Sequence, residues 1–332
     1  MKEKILITTA TGKTGFATAA QLLHDGYPVR AYVRSRNRKA VQLEQLGAEL
    51  AIGEIDNSAQ LRAALAGVQR VYYCYPFKPG MPADVRLFIA AAQEARVEAV
   101  VFMGQWLAEF DDQVAAQTLN TREAYRLFEQ SGLHVVCLVP GYFAENTIGV
   151  LLEFAVQLGI LVSPFGAGKN PVPSNEDLAA VLVALLKNPA PYYGQHLRPT
   201  GPKSLSMPEM AAVISRVVGK KIRVVPAPEW LFLKAAFRSG KDFGYDAFTI
   251  AQARFYNQEY QANKFDIGGP TDVVRRVAGK APDDFETIVR RFIGESAYGM
   301  PSAQGWRTAL RKFMAVPLQS VPSRKELERL NR

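Results

Sequence analysis

An apolar strand that leads directly into a glycine-bearing turn and a helix is the feature that most limits what this chain can fold into. The strand is Ile5-Leu6-Ile7, the turn contains Gly12 and Gly15, and apolar residues then recur at helical spacing until Gly26. Gly12 lets the backbone approach a pyrophosphate, Gly15 lets the helix pack close to the strand, and the amides at the helix start attract phosphate. The turn therefore predicts a dinucleotide site. Its predicted contacts are Thr9, Thr11, Gly12, Lys13, Thr14 and Gly15.

Two other interpretations of this turn remain open. Thr9 occupies the first position of the usual three-glycine fingerprint, so only the last two glycines are present. Gly12-Lys13-Thr14 imitates the end of a phosphate-binding P-loop, but that motif requires a glycine where this chain has Ile7. The turn could also be an ordinary strand-to-helix connection without a ligand. The preceding strand and the following amphipathic helix favour the dinucleotide.

Four cations follow the second predicted strand, about twenty residues after the glycine turn. They lie in the segment Arg34-Ser35-Arg36-Asn37-Arg38-Lys39. An acidic residue at this place would bind the ribose hydroxyls of NAD, whereas arginine pairs with the 2′-phosphate of NADP. Arg34, Arg38 and Lys39 therefore predict that NADP(H) is preferred over NAD(H). The alternative is a basic turn that faces solvent.

Strand and helix patterns alternate through the first half of the chain. The later strands are predicted at residues 48–52, 70–75, 99–103 and 134–139, and the helices between them at 58–66, 83–95 and 118–130. Right-handed crossovers then predict an α/β fold, a Rossmann-type doubly wound parallel sheet in the order 3-2-1-4-5-6. We expect an NADP-binding domain over residues 1–146, a smaller α/β lid over 147–294 from which strands could return to the main sheet, and a tail over 295–332.

The ligand crevice of such a sheet lies at the carboxyl ends of its strands. Residues that directly follow strands four, five and six are therefore expected to face the cofactor. They are Tyr75, Pro76, Phe77, Gly104, Gln105, Pro140, Gly141, Tyr142 and Phe143. Trp106, Asn146 and Phe165 are expected near the substrate. The aromatic residues around the crevice suit a flat apolar ligand, and the alternative for them is packing within the lid.

Charge and composition narrow the class of protein further. The formal net charge is +9, but the cations are spread along the chain apart from the turn at 34–39, so we expect no direct nucleic-acid partner. No apolar run reaches membrane-spanning length and no signal-peptide pattern is present, which predicts a cytoplasmic protein, monomeric or homodimeric. The histidines and cysteines lack ligand spacing, so no metal site is expected.

Six segments carry a further signal through their order and spacing. They are TATGKTG, VRAYVRSRNRKA, GAELAIGEIDN, SGLHVVCLVPGYFAEN, EDLAAVLVALL and TGPKSLSMPEMAAVISRVVGKKI. Together they resemble the NmrA-like family of atypical short-chain dehydrogenases/reductases, over roughly residues 1–293. The resemblance implies that Gly12 and Gly15 hold the pyrophosphate and that Arg34 holds the 2′-phosphate. It also implies that Ile55 and Asp56 border the adenine and that Pro140, Gly141, Tyr142 and Phe143 line the nicotinamide end.

Three positions depart from the reductases of that family. Thr121 stands where the wider superfamily places a lysine, Gly104-Gln105 replaces an expected serine, and Val139 replaces a common arginine. A Tyr-x-x-x-Lys pair does occur at Tyr260 and Lys264, but it lies in the lid region. We interpret that pair as a coincidence.

Two functions therefore remain open. In the first, the chain is an NADPH-dependent oxidoreductase that transfers hydride to a small apolar carbonyl or quinone-type acceptor, and Tyr142, Gln105 and Tyr75 are the candidate catalytic donors to the developing oxyanion. Without the lysine, the proton could come from water, or the acceptor is an easily reduced quinone. In the second, the chain binds NADP(H) without turnover and reports the redox ratio to a protein partner, a role that the family includes.

Overall fold

The computed structural model describes residues 2–112, 114–149, 152–239, 246–295 and 300–331. Its strands are β1 (Ile5–Ile7), β2 (Val29–Val33), β3 (Glu49–Ile52), β4 (Arg70–Cys74), β5 (Ala99–Met103), β6 (Val135–Leu138), β7 (Ile160–Ser163), β8 (Lys169–Asn170), β9 (His196–Leu197), β10 (Leu205–Ser206) and β11 (Arg223–Pro226). Seven of these described strands form one sheet in the order β3-β2-β1-β4-β5-β6-β9, and each neighbouring pair is parallel.

The sheet confirms the predicted fold class and the order 3-2-1-4-5-6. It is extended by β9, which comes from the region expected to form the lid and pairs with β6. Every residue of β1 and β2 is buried, which explains why Ile5–Ile7 reads as a continuous apolar run rather than an alternating one. β4 ends at Cys74 and β6 covers 135–138, so both strands are shorter than predicted. Tyr75 therefore begins a loop.

Helices cover both faces of the sheet. In chain order they are α1 (Lys13–His24), α2 (Arg38–Gln45), α3 (Ser58–Leu65), α4 (Met81–Glu94), α5 (Ala116–Gln130), α6 (Ala144–Ile148), α7 (Leu152–Leu158), α8 (Asn175–Lys187), α9 (Met207–Val218), α10 (Glu229–Ser239), α11 (Ala247–Gln261), α12 (Val273–Ala278), α13 (Phe285–Glu295), α14 (Ala303–Ala315) and α15 (Arg324–Arg329). Short 3₁₀ turns lie at Trp106–Glu109, Ala190–Tyr192, Lys264–Asp266 and Val316–Leu318. α1, α8 and α12 contribute to the apolar core on one face, and α3, α4 and α5 to the core on the other.

Two helices begin earlier than the sequence pattern predicts. α4 begins at Met81 rather than 83, because Gly80 turns the chain with φ +95° and Pro82 is favoured in a first helical turn. α5 begins at Ala116 rather than 118. Its first amide is bonded by a residue of the tail, Asn331, which no local pattern could indicate.

The remaining elements pack beside the carboxyl ends of the main strands. β7 pairs with β11 in parallel and β8 with β10 antiparallel, around a third apolar core. The sequence pattern also predicts a helix from Val150 to Leu158; the structure describes it as α7 from Leu152, and residues 150–151 lie outside the described residues. In the tail, α14 packs against α7 and α15 against α11. Within the described part of the chain, no helix combines the length and apolarity needed to span a membrane.

Candidate active site

The turn between β1 and α1 has the close backbone approach that the sequence predicts. A Cβ atom added at Gly15 would lie 2.6 Å from the carbonyl oxygen of Thr9, so only glycine lets α1 pack this closely. At Gly12 the corresponding distance is 3.1 Å. Thr9 itself has φ +48°, in the left-handed region that glycine favours. Thr9 therefore adopts the backbone conformation suited to the glycine that the usual fingerprint has at this position.

The start of α1 fits an anionic ligand. No side chain caps the helix at Gly12 and its first turn carries no acidic residue, so its leading amides are not satisfied by a capping side chain. Lys13 is exposed at the same place, whereas the Thr14 hydroxyl turns inward and lies 3.0 Å from the hydroxyl of Tyr72. Desolvation lowers the pKa of Lys13, the Glu145 carboxylate acts in the opposite direction, and the Lys39 charge lowers it further. Uncapped amides beside an ammonium group suit a pyrophosphate.

The basic loop after β2 leaves part of its charge available for a ligand. Arg34, Arg38 and Lys39 are exposed, whereas Arg36 pairs with Glu44 at 2.5 Å. No ion pair or hydrogen bond joins Arg34 or Arg38 to another of the described residues. Two guanidinium groups are thus free to bind a phosphate at the end of β2.

The loop after β3 carries the residues implied to border the adenine. Ile55 is buried and Asp56 is exposed. An Asp56 Oδ2 atom accepts a hydrogen bond of 2.8 Å from Lys78, which holds the pKa of Asp56 below its ordinary value. This contact joins the loops that follow β3 and β4.

Tyr75 uses its hydroxyl within the protein. The hydroxyl donates to Asp84 of α4 at 2.7 Å, and burial together with this carboxylate raises the pKa of Tyr75. The engagement argues against the donor role predicted for Tyr75. The next two residues are more accessible than Tyr75: Pro76 is half-buried and Phe77 is exposed. The ring centroid of Phe77 lies 5.9 Å from that of Phe248 in α11.

The segment after β5 is fixed by α5. A Cβ atom at Gly104 would lie 2.1 Å from the Tyr125 hydroxyl, which accepts from the amide of Gln105 at 2.9 Å and donates to its carbonyl at 3.0 Å. The Gln105 side chain donates to Thr121 at 2.9 Å and to the carbonyl of Gln117 at 3.3 Å, and accepts from Thr118 at 3.2 Å. Both amide hydrogens of Gln105 are thus engaged, which argues against its predicted donor role and assigns Thr121 to holding Gln105.

The segment after β6 meets the lid. Pro140 is buried, and the side-chain amide of Asn170 donates to the carbonyl of Tyr142 at 2.7 Å. A Cβ atom at Gly141 would lie 3.3 Å from Asn170 Oδ1, so the turn fits closely there. The Tyr142 ring lies edge-on to three aromatic rings of the lid, those of Phe165, Tyr260 and Phe265. Phe143 and Asn146 are half-buried beside it.

Two aromatic residues predicted near the substrate pack against other side chains of the protein. Phe165 is buried and stacks on Tyr260 at 4.4 Å between centroids. The Trp106 ring lies beneath the guanidinium of Arg198 at 3.9 Å, and its Nε1 donates to the carbonyl of Lys264 at 3.1 Å. Their packing favours the alternative of lid core for these rings, and leaves Phe77 as the exposed aromatic residue of the predicted set.

The contribution of α11 was missed from the sequence. This helix places Phe248 and Tyr256 against Phe77, and the side-chain oxygen of Gln252 accepts from the amide of Gln117 at 3.1 Å. The sequence signal that could have indicated this role is the presence of aromatic residues on more than one face of the segment 247–261. A helix with apolar residues on several faces is typically buried between other elements. The lid thus touches both the loop after β4 and the start of α5.

The Tyr260 and Lys264 pair does not form a catalytic arrangement. Tyr260 is fully buried among the lid aromatics. The Lys264 ammonium pairs with Asp112 and Glu259, each at 2.7 Å.

Comparison with known proteins identifies the family of this chain. The sequence model of the NmrA-like family matches residues 1–273. The NAD(P)H azoreductase of Xenophilus azovorans is 29% identical over 300 residues, covering 86% of this chain and 96% of that protein. A (4-alkanoyl-5-oxo-2,5-dihydrofuran-3-yl)methyl phosphate reductase of Streptomyces griseus is 30% identical over 219 residues, covering 66% of this chain and 75% of that protein.

Solved structures share the fold. An NADPH-dependent quinone oxidoreductase of Escherichia coli, complexed with NADPH, has a TM-score of 0.73 at 21% identity and covers 87% of this chain and 99% of its own. The negative transcriptional regulator NmrA, in complex with NADP, has a TM-score of 0.70 at 17% identity and covers 90% of this chain and 99% of its own.

Proposed function

Since the chain belongs to the NmrA-like family, we propose that it is an NADPH-dependent oxidoreductase that reduces a small apolar carbonyl or quinone-type acceptor. The observation that carries this proposal is the turn at Thr9 to Gly15, with its close approach and uncapped helix start, followed by two unpaired arginines after β2. The azoreductase and the quinone oxidoreductase, whose names describe NAD(P)H-dependent reduction, support it.

The cofactor would lie across the carboxyl ends of β1 and β4. In this proposal the amides of Gly12, Lys13 and Thr14 bind the pyrophosphate, and the loop at Arg34, with Arg38 and Lys39, binds the 2′-phosphate. Ile55 and Asp56 border the adenine, and the 140–143 segment borders the nicotinamide. When bound, NADPH would supply two electrons and a hydrogen to the acceptor as hydride.

The chain's own residues would shape the acceptor side. Phe77 offers an exposed ring for a flat molecule, and Tyr142 remains the proposed donor on the β6 side. The Gln105 side chain is held by α5, so it would line the acceptor site without donating a hydrogen bond to the acceptor. In that position it would help to exclude water from the site.

A second function is favoured by the uncharged side chain of Thr121 in α5. Thr121 replaces the expected lysine and binds Gln105, so this helix contributes no ammonium group to lower a tyrosine pKa. A chain of this kind could bind NADP(H) as a sensor and act through a protein partner, as the name of the regulator NmrA suggests for that protein. The sensor would require different affinities of NADP⁺ and NADPH for two conformations.

A titration followed by an acceptor screen separates these functions. We expect NADPH to bind in calorimetry, and we expect the protein to oxidise NADPH with at least one member of a panel of quinones, aldehydes and azo compounds. Tyr142→Phe should then lower kcat by roughly tenfold with little change in NADPH affinity. Binding without oxidation of NADPH by any acceptor would favour the sensor. Absence of NADPH binding would remove both functions.

A further inference from the structure

A tyrosine of the lid, Tyr256, packs against the loop that follows β4. α11 places the Tyr256 ring 6.2 Å from the ring of Phe77, measured between centroids. The Tyr256 hydroxyl is buried and forms no hydrogen bond of good geometry with any described residue, although Thr118 and Gln105 lie close enough to lower its pKa through hydrogen bonding. A buried polar group without a partner costs about 1–3 kcal/mol and calls for an explanation.

The groups around this hydroxyl are neutral and are already engaged with one another. Thr118 donates to the side-chain oxygen of Gln105, whose amide hydrogens bond to α5. Burial raises the pKa of Tyr256 to about 12, although nearby Thr118 and Gln105 act to lower it. Tyr256 therefore stays protonated at neutral pH, and its O–H group has no fixed acceptor.

Location distinguishes Tyr256 from two other tyrosines whose buried hydroxyls have no partner. Tyr73 stacks on Phe88 at 4.1 Å inside the core of the main sheet, and Tyr260 stacks on Phe165 in the lid core. Tyr256 instead lies where the loops after β4 and β5 meet the lid. These are the loops that border a ligand in a sheet of this type.

We propose that the Tyr256 hydroxyl donates a hydrogen bond to the carbonyl oxygen of the acceptor and transfers its proton there during reduction. This inference rests on the proposed reductase activity. In the balanced step the acceptor gains a hydride and NADPH becomes NADP⁺. The O–H bond of Tyr256 breaks as an O–H bond forms on the acceptor, and solvent water returns a proton to the tyrosinate. In this proposal the proton donor comes from the lid rather than from α5.

The test compares Tyr256→Phe with Tyr73→Phe, which removes another buried and unpaired tyrosine hydroxyl, one that packs inside the core of the main sheet. With 1,4-naphthoquinone as acceptor, Tyr256→Phe should lower kcat about tenfold or more, while the Kd for NADPH stays within about twofold. Tyr73→Phe should match the wild type. A second readout needs no turnover: anaerobic calorimetry of 1,4-dihydroxynaphthalene on the NADP⁺-loaded protein should show binding weakened about fivefold or more by Tyr256→Phe.

Each result decides the proposal. Unchanged kcat and unchanged dihydroxynaphthalene binding in Tyr256→Phe would overturn it. A lower Tm together with weaker NADPH binding would also overturn it, because the hydroxyl would then serve the fold. A wild type that reduces no quinone contradicts the proposed function instead, and dihydroxynaphthalene binding still reports on Tyr256.

Discussion

Arg34 and Arg36 lie two residues apart, yet only Arg36 is paired with a carboxylate. Arg34→Ala should therefore weaken NADPH binding about tenfold or more and leave NADH binding nearly unchanged, because a charge-assisted pair with the 2′-phosphate is lost. Calorimetry with both nucleotides measures the difference. Arg36→Ala is the matched control and should have a smaller effect. Equal losses for NADPH and NADH would contradict the assignment of Arg34.

At the same scale, residues set by local geometry were predictable and residues set by distant partners were not. Gly15 follows from the strand-turn-helix pattern alone, and the structure shows the 2.6 Å approach that requires it. The roles of Tyr75 and Gln105 depend on hydrogen bonds to Asp84 and Thr121, which belong to other helices. A sequence pattern places a residue at the end of a strand. It does not show whether another element already uses its polar group.

At the scale of single elements, β9 shows how a very short strand is held. A strand near 196–199 is predicted from the sequence, and the structure has two residues of it at the sheet edge beside β6. His196 Nδ1 lies 2.7 Å from the Glu109 carboxylate, in the turn after β5, and its ring lies 4.6 Å from that of Tyr125. The hydrogen bond to Glu109 raises the pKa of His196. The contact between His196 and Glu109 thus joins β9 to the turn after β5.

The raised pKa gives this contact a pH dependence of known sign. Its stabilisation is fully present below the pKa of the unfolded state and is lost as pH rises through the folded-state value. Urea unfolding should show wild type more stable than His196→Gln by on the order of 1 kcal/mol at about pH 5, and the difference should shrink towards about pH 8.5. Glu109→Gln should remove the same pH dependence. A dependence that survives in Glu109→Gln would contradict the pairing.

At the scale of the whole molecule, one side chain of the tail, that of Asn331, joins the tail to both α5 and α11. Asn331 Oδ1 accepts from the amide of Ala116 at 2.8 Å and from Gln252 at 3.2 Å, and its Nδ2 donates to the carbonyl of Val114 at 2.9 Å. The tail lies beyond the residues matched by the family, and its partner at Ala116 is 215 positions away. No role for residues 295–332 could therefore be predicted from local sequence.

This connection predicts that the tail stabilises the acceptor side rather than the dinucleotide turn. Asn331→Ala removes three hydrogen bonds and leaves the first amide of α5 without its cap, which should lower the free energy of unfolding by about 1–3 kcal/mol. Because α5 holds Gln105 through Thr118 and Thr121, KM for the acceptor should rise while the Kd for NADPH stays within about twofold. Lys325→Ala, an exposed change on α15, is the control for thermal unfolding and steady-state kinetics. An Asn331→Ala protein with unchanged Tm and unchanged acceptor KM would show that the tail is not coupled to α5. Weaker NADPH binding would also contradict the prediction, because the effect would then lie at the dinucleotide turn.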